Sequence, residues 1–287
     1  MSTNEKINIG IVGLGLIGGS FALAIKNKLN AKIFGLDKYH FYKAKELNLI
    51  DEELKENKLH QMDIIIVATP VNTIGEITNW VLDNINDNCL VFDAGSIKNN
   101  IAKQVENHPK RHHFLLAHPI AGTEYSGPEA AFESLFTNKI NILCDTHKTR
   151  KDLLQKAKNI FAKLQMKMIE MDSKEHDRHI AYVSHLSHVS SFMLGKTVMD
   201  LEKNEKNIFD MAGSGFASTV RLAKSSPNTW TPIFMENKEN IIQSLDEYIN
   251  NLQDFRKNLK NNEAEKVKNT LSNINYIKNI IDKLEVK

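Results

Sequence analysis

The segment that begins at His118 joins a titratable side chain to a loop rich in glycine and polar groups. It reads His118-Pro119-Ile120-Ala121-Gly122-Thr123-Glu124-Tyr125-Ser126-Gly127 and follows an apolar run at residues 114–117. That run predicts a buried strand. A histidine at the carboxyl end of such a strand lies where open α/β sheets bind their ligands. Because loops held by rigid strand ends commonly carry chemistry, we predict that His118 acts on a bound molecule.

A glycine loop near the start of the chain predicts a dinucleotide site. The pattern Gly-x-Gly-x-x-Gly follows an apolar stretch at residues 7–12 and opens a helical stretch. In that setting the glycines permit a tight turn, a close approach of the backbone to a pyrophosphate and close helix–strand packing. The helix N-terminus also offers unpaired N–H groups to phosphates. The predicted phosphate-binding residues are Gly13, Gly15, Leu16, Ile17 and Gly18.

Asp37 ends the next predicted strand, 24 positions after Gly13. Its carboxylate can accept hydrogen bonds from both ribose hydroxyls and would repel a 2′-phosphate, so we predict NAD rather than NADP. Two alternatives stay open, since Asp37 could simply initiate a turn and Lys38 could offset the repulsion. Thr69 and Pro70, which end the third predicted strand, and Ser96, which follows the fourth, complete the predicted cofactor-binding set.

Ser96 follows the fourth predicted strand, at the same edge of the sheet as His118. We expect it near the nicotinamide, where its hydroxyl could donate to a substrate oxygen or to His118. The competing interpretation is that Ser96 caps the helix predicted at residues 96–106, which is a common use of serine.

A second polar patch lies on a predicted helix. His185 and His188 are neighbours at spacing i, i+3, and Ser184 lies one turn before His188. We predict a polar stripe that faces substrate, and no metal, because zinc would need a further ligand from elsewhere. In the same run we expect His176 or His179 to have only a structural hydrogen-bonding role.

Arg221 stands in a helix that is otherwise built of apolar and small residues. A planar guanidinium binds a carboxylate through two hydrogen bonds and stays charged at any working pH. We therefore predict that Arg221 binds a substrate carboxylate. An internal salt bridge or a simple surface position is the alternative.

The composition describes an ordinary globular chain of 287 residues with a net charge of +2, which gives no bulk electrostatic reason to bind nucleic acid or a membrane surface. The opening residues lack the apolar region of a signal peptide, and no apolar run approaches 18 residues, so we expect a cytoplasmic location. Cys89 and Cys144 lie in strand-like runs and are expected to be reduced core residues.

Two parts of the chain differ in pattern. Residues 1–171 alternate strands and helices, which predicts an α/β domain of Rossmann type with a mainly parallel, doubly wound sheet. Residues 172–287 predict only helices. Two apolar stripes at helical spacing, within residues 241–259 and 267–284, suggest a helical substrate and dimerisation domain, with packing inside one chain as the alternative.

Taken together, these patches resemble the prephenate/arogenate dehydrogenase family. The matching segments are residues 13–19, 93–98, 118–127, 176–188 and 215–230, and the block at 118–127 is the most specific of them. The resemblance implies a Rossmann domain followed by a helical dimerisation domain. It also implies NAD-dependent oxidative decarboxylation of prephenate to 4-hydroxyphenylpyruvate and CO₂, in tyrosine biosynthesis, by a homodimer.

The resemblance assigns roles by position. His118 matches the catalytic histidine that hydrogen-bonds the ring hydroxyl of the substrate, and Ser96 matches the serine that assists it. Arg221 matches the arginine that binds a carboxylate, and Trp230 matches a tryptophan that lines the site. The remaining predicted substrate-binding positions are Thr123, Glu124, Ser184, His185 and His188.

This chain also departs from the family pattern. Ser187 stands where a proline is common, and Ala217-Ser218 replaces a segment that often carries an acid. No segment resembles a chorismate mutase or an ACT regulatory domain, so we expect no feedback control by such a domain.

Three other functions remain as alternatives. An arogenate dehydrogenase would yield tyrosine directly. Glu124 is the residue on which the choice between prephenate and arogenate most depends. A β-hydroxyacid-type dehydrogenase would need a catalytic lysine, for which Lys196 is a weak candidate. A non-catalytic NAD-binding dimer would keep the glycine loop but would not need His118, Ser96 and Arg221 together.

Overall fold

The computed structural model describes residues 6–203, 205 and 207–285, with side chains as far as residue 282. Its sheet has eight strands. They are β1 (Ile7–Val12), β2 (Ala31–Leu36), β3 (Glu52–Glu53), β4 (Ile64–Val67), β5 (Leu90–Asp93), β6 (Phe114–Pro119), β7 (Ile140–Cys144) and β8 (Lys167–Met171).

Five helices connect these strands. They are α1 (Leu16–Lys28), α2 (Phe41–Glu46), α3 (Ile74–Asn84), α4 (Asn99–Val105) and α5 (Lys151–Lys163). The short strand β3 and the 3₁₀ turn Glu56–Gln61 were not expected from the sequence, because two residues are too few to produce a readable periodicity.

The strand order is β3-β2-β1-β4-β5-β6-β7-β8. The chain first builds outward from β1 to β3 and then returns to the other side of β1, so the order reverses between β1 and β4. Strands β1 to β6 are parallel, and β7 runs antiparallel to β6. In such sheets ligands bind outside the carboxyl ends of the strands at the point of reversal. The predicted Rossmann-type fold class is confirmed.

Two separate hydrophobic cores cover the two faces of the sheet. One includes Phe21 of α1 and Phe161 of α5 packed against side chains such as Ile9. The other includes Val81 of α3 and Val105 of α4. Because both faces are covered, the central strands are continuously apolar instead of alternating. That burial fixes the strand ends from which the site is built.

The turn between β1 and α1 depends on its glycines. Gly13 has φ +95°, a conformation that side chains rarely adopt, and its N–H donates to the carbonyl of Leu36. A Cβ on Gly18 would lie 1.9 Å from the Gly13 carbonyl oxygen. Helix α1 begins at Leu16, inside the glycine run.

The part of the chain after β8 is helical. Its helices are α6 (Ser173–Ile180), α7 (Leu186–Glu202), α8 (Ser214–Val220), α9 (Pro227–Glu236), α10 (Lys238–Lys260), α11 (Ala264–Ile274) and α12 (Lys278–Glu285). Between α6 and α7 the backbone forms a π-helical turn, Ala181–His185. No strand occurs in the described residues after 171, as predicted.

The chain divides into two compact units, and the division falls between Lys238 and Glu239. The first apolar stripe of the sequence lies on α10, and the second runs along α11 and α12 as far as Leu284, whose side chain lies outside the described residues. Within the described part of the chain, no helix is both long and apolar enough to cross a membrane.

We expect Gly18→Ala to lower the free energy of unfolding by about 2 kcal/mol or more, because its Cβ would overlap a backbone oxygen that cannot move without disturbing the turn. Gly15→Ala is the matched control, since a Cβ on Gly15 meets nothing within 4 Å. Urea unfolding of both variants, followed by circular dichroism, measures the difference. Equal stability of the two variants would contradict this account of the turn.

Candidate active site

His118 is the second-to-last residue of β6. On one side β6 is hydrogen-bonded to β5, and on the other His118 stands opposite Ile142 of β7. Because side chains alternate along a strand, His118 points to the same face as Leu116, the face covered by α3 and α4. Its side chain is buried, with 8% of the residue exposed.

A buried ion pair holds the backbone next to His118. Asp93, the last residue of β5, pairs with Lys98, and both are 0% exposed. Lys98 Nζ also donates to the carbonyl oxygen of Ala117 at 2.7 Å, while Oδ1 of Asp93 accepts the Ala117 N–H at 3.1 Å. Burial raises the pKa of Asp93, and the Lys98 ammonium and the N–H donors oppose that shift. Ala117 is therefore fixed through both its amide and its carbonyl.

A chain of three buried side chains ends on His118. His118 Nδ1 lies 2.8 Å from His176 Nε2, and His176 Nδ1 lies 2.8 Å from Oδ1 of Asp177. The same carboxylate accepts the backbone N–H groups of Lys98 and Asn99, each at 2.8 Å, at the start of α4. Helix α6 thus supplies two consecutive residues that join His118 to α4.

Two buried histidines of this region, His118 and His185, are held neutral by their surroundings. Burial lowers the pKa of His118 well below its usual 6.5, and the nearby His176, Lys98 and His185 lower it further. Burial also lowers the pKa of His185 to about 4, although Asp177 opposes the shift. A neutral imidazole keeps one unprotonated nitrogen, so His118 can accept a proton at neutral pH.

A second cluster surrounds Trp230 of α9. The indole stacks on His188, with ring centroids 3.4 Å apart, and meets the edge of His185 at 6.0 Å. His188 Nδ1 lies 3.0 Å from the Ser184 carbonyl, and Asn237 Nδ2 lies 3.2 Å from His185 Nδ1 and donates to the Asp177 carbonyl at 2.7 Å. The π-helical turn adds a residue to the helix just before these side chains, as such turns often do at functional sites.

Arg221 begins a 3₁₀ turn directly after α8 and is exposed. Within the described ranges no acidic side chain pairs with it, so the internal salt bridge that we weighed as an alternative is not formed. Burial lowers the pKa of His188, and the charge of Arg221 lowers it further, which places the guanidinium within electrostatic reach of the cluster. Among the described residues no acidic side chain thus occupies the N–H donors of Arg221, which lie within electrostatic reach of His188.

Ser96 is half-buried, and its Oγ has no hydrogen-bond partner among the described residues. It neither bonds to His118 nor caps α4, which begins three residues later, at Asn99. The capping interpretation is wrong, because the Asp177 carboxylate occupies the N–H groups at that helix start. The hydroxyl is left without a protein partner.

Thr123 and Glu124 lie in an exposed loop after β6. Thr123 Oγ1 accepts the N–H of Tyr125 at 3.2 Å. The structure brings His118, His185, His188 and Trp230 into connected clusters, and it leaves the two loop residues apart from them.

The predicted cofactor-binding residues Gly13, Gly15 and Asp37 lie around the start of α1. Asp37 accepts N–H groups of Leu14 at 2.7 Å, of Tyr39 at 2.8 Å and of His40 at 2.7 Å. Burial alone would raise the pKa of Asp37, but these donors lower it below 3.8, so the group is an anion. Asp37 thus does organise a turn, and it keeps the charge expected of a ribose-binding acid.

No side chain caps α1, and the space beside Gly15 is open. The first N–H groups of that helix are therefore left for an anion. Thr69, which follows β4 together with Pro70, accepts a hydrogen bond from the hydroxyl of Thr73 at 3.0 Å. These features fit a dinucleotide. Among the described residues, no group of three or more His, Cys, Asp and Glu side chains could hold a metal ion.

Part of this site was not predicted from the sequence. At most a structural role was expected for His176, and none for Asp93, Lys98, Asp177 or Asn237. A signal for two of them was present, because the run around His176 and Asp177 is unusually dense in polar residues for a helix.

Comparison with known proteins agrees with the predicted family. A family model described as "Prephenate dehydrogenase, nucleotide-binding domain" matches residues 21–170, and one described as "Prephenate dehydrogenase, dimerization domain" matches residues 172–273. A prephenate dehydrogenase of Bacillus subtilis (strain 168) is 32% identical over 267 residues, which is 91% of this chain and 72% of that relative.

Two solved structures are also similar. The prephenate dehydrogenase of A. aeolicus, in complex with hydroxyphenyl propionate and NAD⁺, is 30% identical, with a TM-score of 0.88 and all of both chains covered. The Synechocystis arogenate dehydrogenase is 26% identical, with a TM-score of 0.79 over 96% of this chain and all of that one. The chain, which has the sheet, the glycine turn and the buried histidine of β6, therefore belongs to the prephenate dehydrogenase family of oxidoreductases.

Proposed function

We propose that this chain is an NAD-dependent prephenate dehydrogenase, which converts prephenate to 4-hydroxyphenylpyruvate and CO₂ in tyrosine biosynthesis. The observation that carries the proposal is the state of His118, a buried, neutral imidazole whose Nδ1 faces His176. Only Nε2 is then left to accept a proton from a substrate hydroxyl. The shared family with the B. subtilis enzyme supports the substrate class.

The proposed cofactor is NAD. The A. aeolicus relative is described with NAD⁺ bound. In this chain the open backbone at Gly15 and the uncapped start of α1 suit a pyrophosphate. The anionic Asp37 disfavours a 2′-phosphate. When bound, the nicotinamide supplies the hydride acceptor for the oxidation.

The proposed division of labour follows from the residues. His118 Nε2 accepts the ring-hydroxyl proton as hydride leaves the same carbon, and the Ser96 hydroxyl donates to the ring oxygen. Arg221 binds a substrate carboxylate. As CO₂ leaves, its bonding electrons make the ring aromatic and put charge on the ring oxygen, which takes the proton back from His118. Thr123, Glu124, Ser184, His185, His188 and Trp230 are proposed to line the substrate pocket.

The alternative substrate is arogenate, which carries an ammonium in place of a keto group. The Synechocystis relative bears that name. Two features favour prephenate: the clustered pocket histidines are neutral, and Glu124, the one acid among the proposed pocket residues, lies in an exposed loop. An ammonium would lack a buried anionic partner there.

Initial rates with prephenate and with arogenate, each with NAD and with NADP, test the proposal through the absorbance of the reduced nicotinamide. We expect the highest kcat/KM with prephenate and NAD. A preference for arogenate would identify the chain as an arogenate dehydrogenase of the same family. No turnover of either substrate would favour the non-catalytic NAD-binding dimer.

A homodimer is proposed for the helical part. The described helices α10 to α12 expose large apolar side chains, among them Leu252, Leu271, Ile274 and Ile277, each at least half exposed. Exposed large apolar side chains on amphipathic helices suit an interaction surface, and the family model that matches residues 172–273 is described as a dimerization domain. The two family models meet near residue 171, which supports the predicted domain boundary there. A cytoplasmic location stays a prediction.

We expect light scattering to give the mass of a dimer for the natural chain and of a monomer for Ile274→Lys, because a buried unpaired ammonium would destabilise an apolar interface. Asn269→Lys is the matched control, since it adds the same charge to an exposed position of the same helix. A natural chain that stays monomeric at micromolar concentration contradicts the proposal.

Replacing His118 by Asn should lower kcat by roughly 10²–10⁴-fold, the usual contribution of a general base. The dissociation constant for NAD should stay unchanged, and His179→Asn, at an exposed position of α6, is the control. In the natural enzyme kcat/KM should hold as the pH falls to 6.5 and decline only below it. The reason is that the pKa of His118 lies well below 6.5 and the base fails once it is protonated. A decline that begins above pH 6.5 would sink this assignment.

Arg221→Ala should raise KM for prephenate by roughly 30-fold, equivalent to about 2 kcal/mol, with kcat changed far less. The exposed position of Arg221 puts the loss at the low end of the range for charge pairs. Lys224→Ala removes a charge from the other end of the same turn and should leave KM unchanged. Equal effects of the two substitutions would point to general attraction of an anionic substrate.

A further inference from the structure

We propose that His176 and Asp177 are positioning residues that hold His118 in one tautomer, protonated on Nδ1 and unprotonated on Nε2. This rests on the proposed function, because it assigns the proton-accepting nitrogen of the proposed base. His176 and Asp177 touch neither substrate nor cofactor in this scheme. They act through His118.

The argument begins at Asp177. Oδ1 accepts the Lys98 N–H, and Oδ2 accepts the Asn99 N–H. Hydrogen bonds from these two backbone N–H groups stabilise the ionised carboxylate, and an ionised carboxylate acts only as an acceptor. Because Oδ1 is also 2.8 Å from His176 Nδ1, that nitrogen must carry the proton of the hydrogen bond.

The next step concerns His176. A neutral imidazole that is protonated on Nδ1 has an unprotonated Nε2. Since His176 Nε2 lies 2.8 Å from His118 Nδ1, the hydrogen between them belongs to His118 Nδ1. Neutral His118 then has its free electron pair on Nε2. The two backbone N–H groups at the start of α4 thus set the direction of both hydrogen bonds that link Asp177, His176 and His118.

The same chain stabilises the product of proton transfer. Once Nε2 has taken a proton, His118 is a cation in a buried site that already holds the Lys98 ammonium. The cation keeps its Nδ1–H bond to His176, which in turn donates to the anionic Asp177. This arrangement is general for activated proton acceptors: one residue orients the base, and a further residue orients that one.

The titratable groups that face His118 within the described part of the chain come from separate elements. His176 and Asp177 belong to α6, Lys98 lies before α4 and is paired with Asp93, and His185 ends the π-helical turn. A positive charge on His176, Lys98 or His185 lowers the proton affinity of His118, whereas a neutral His176 that donates to the Asp177 carboxylate favours the protonated form of His118. Removing His176 as an acceptor should therefore weaken the base.

Side-chain ¹⁵N NMR of the full-length protein labelled at histidine tests the tautomer directly. Assignment of His118 comes from the spectrum of His118→Asn. We expect a protonated Nδ1 and an unprotonated Nε2 at neutral pH, and a loss of that preference in His176→Phe, which keeps a ring but no nitrogen. A proton on Nε2 of His118 in the natural chain overturns the proposal whether or not the enzyme turns over prephenate.

Kinetics supply the second readout. His176→Phe should lower kcat by roughly 100-fold, with KM and the NAD dissociation constant within about twofold. It should also move the acid limb of the kcat/KM profile to lower pH. His176→Gln keeps an amide oxygen that can accept from His118 Nδ1 and should recover at least a tenth of the natural kcat. His179→Phe makes the same change at an exposed position of α6 and should match the natural chain.

The outcomes separate the two proposals. If the natural chain oxidises prephenate and His176→Phe retains its kcat and pH profile, the positioning role fails and the function stands. If the natural chain oxidises neither prephenate nor arogenate, the function fails and the NMR result alone decides the tautomer. A His176→Gln variant that is folded but as slow as His176→Phe also counts against the role of an acceptor at this position.

Discussion

The buried Lys98 side chain joins the parts of the structure on which the site depends. Its ammonium pairs with Asp93 and binds the carbonyl of Ala117, while its own backbone N–H binds Asp177. An ammonium with no exposed surface is stable only if such partners surround it, since removing one partner of a buried pair costs about 3–5 kcal/mol. The requirement to satisfy the Lys98 ammonium therefore fixes the end of β5 and the residue before His118, and the backbone N–H of the same residue ties both to α6.

That constraint also shapes the chemistry. Burial holds the imidazole neutral and ready to accept a proton, but a base with a depressed pKa is a weak one. The hydrogen bond to His176 opposes this weakness, because it leads to a carboxylate that becomes important once positive charge develops. The site thus combines a desolvated base, which stays available over a wide pH range, with a fixed anion two side chains away.

Local pattern was enough to predict most of the sheet and the first residues of the site. Continuous apolar runs marked β1, β4, β5 and β6, and the glycine spacing marked the turn before α1. The partners of His118 could not be read in the same way, because Asp177 and the Lys98 N–H are 79 positions apart in the chain. For Ser96 the local pattern misled, because a serine near a helix start is often a cap. In the structure a carboxylate that is distant in the chain accepts the N–H groups at that helix start instead.

The distribution of charge bears on which carboxylate Arg221 binds in the proposed reaction. Prephenate carries one carboxylate on the ring and one on its side chain, and only the ring carboxylate leaves as CO₂. A guanidinium bound to the leaving group would stabilise the charge that decarboxylation must remove, and so would raise the barrier. The side-chain carboxylate is the better partner for Arg221.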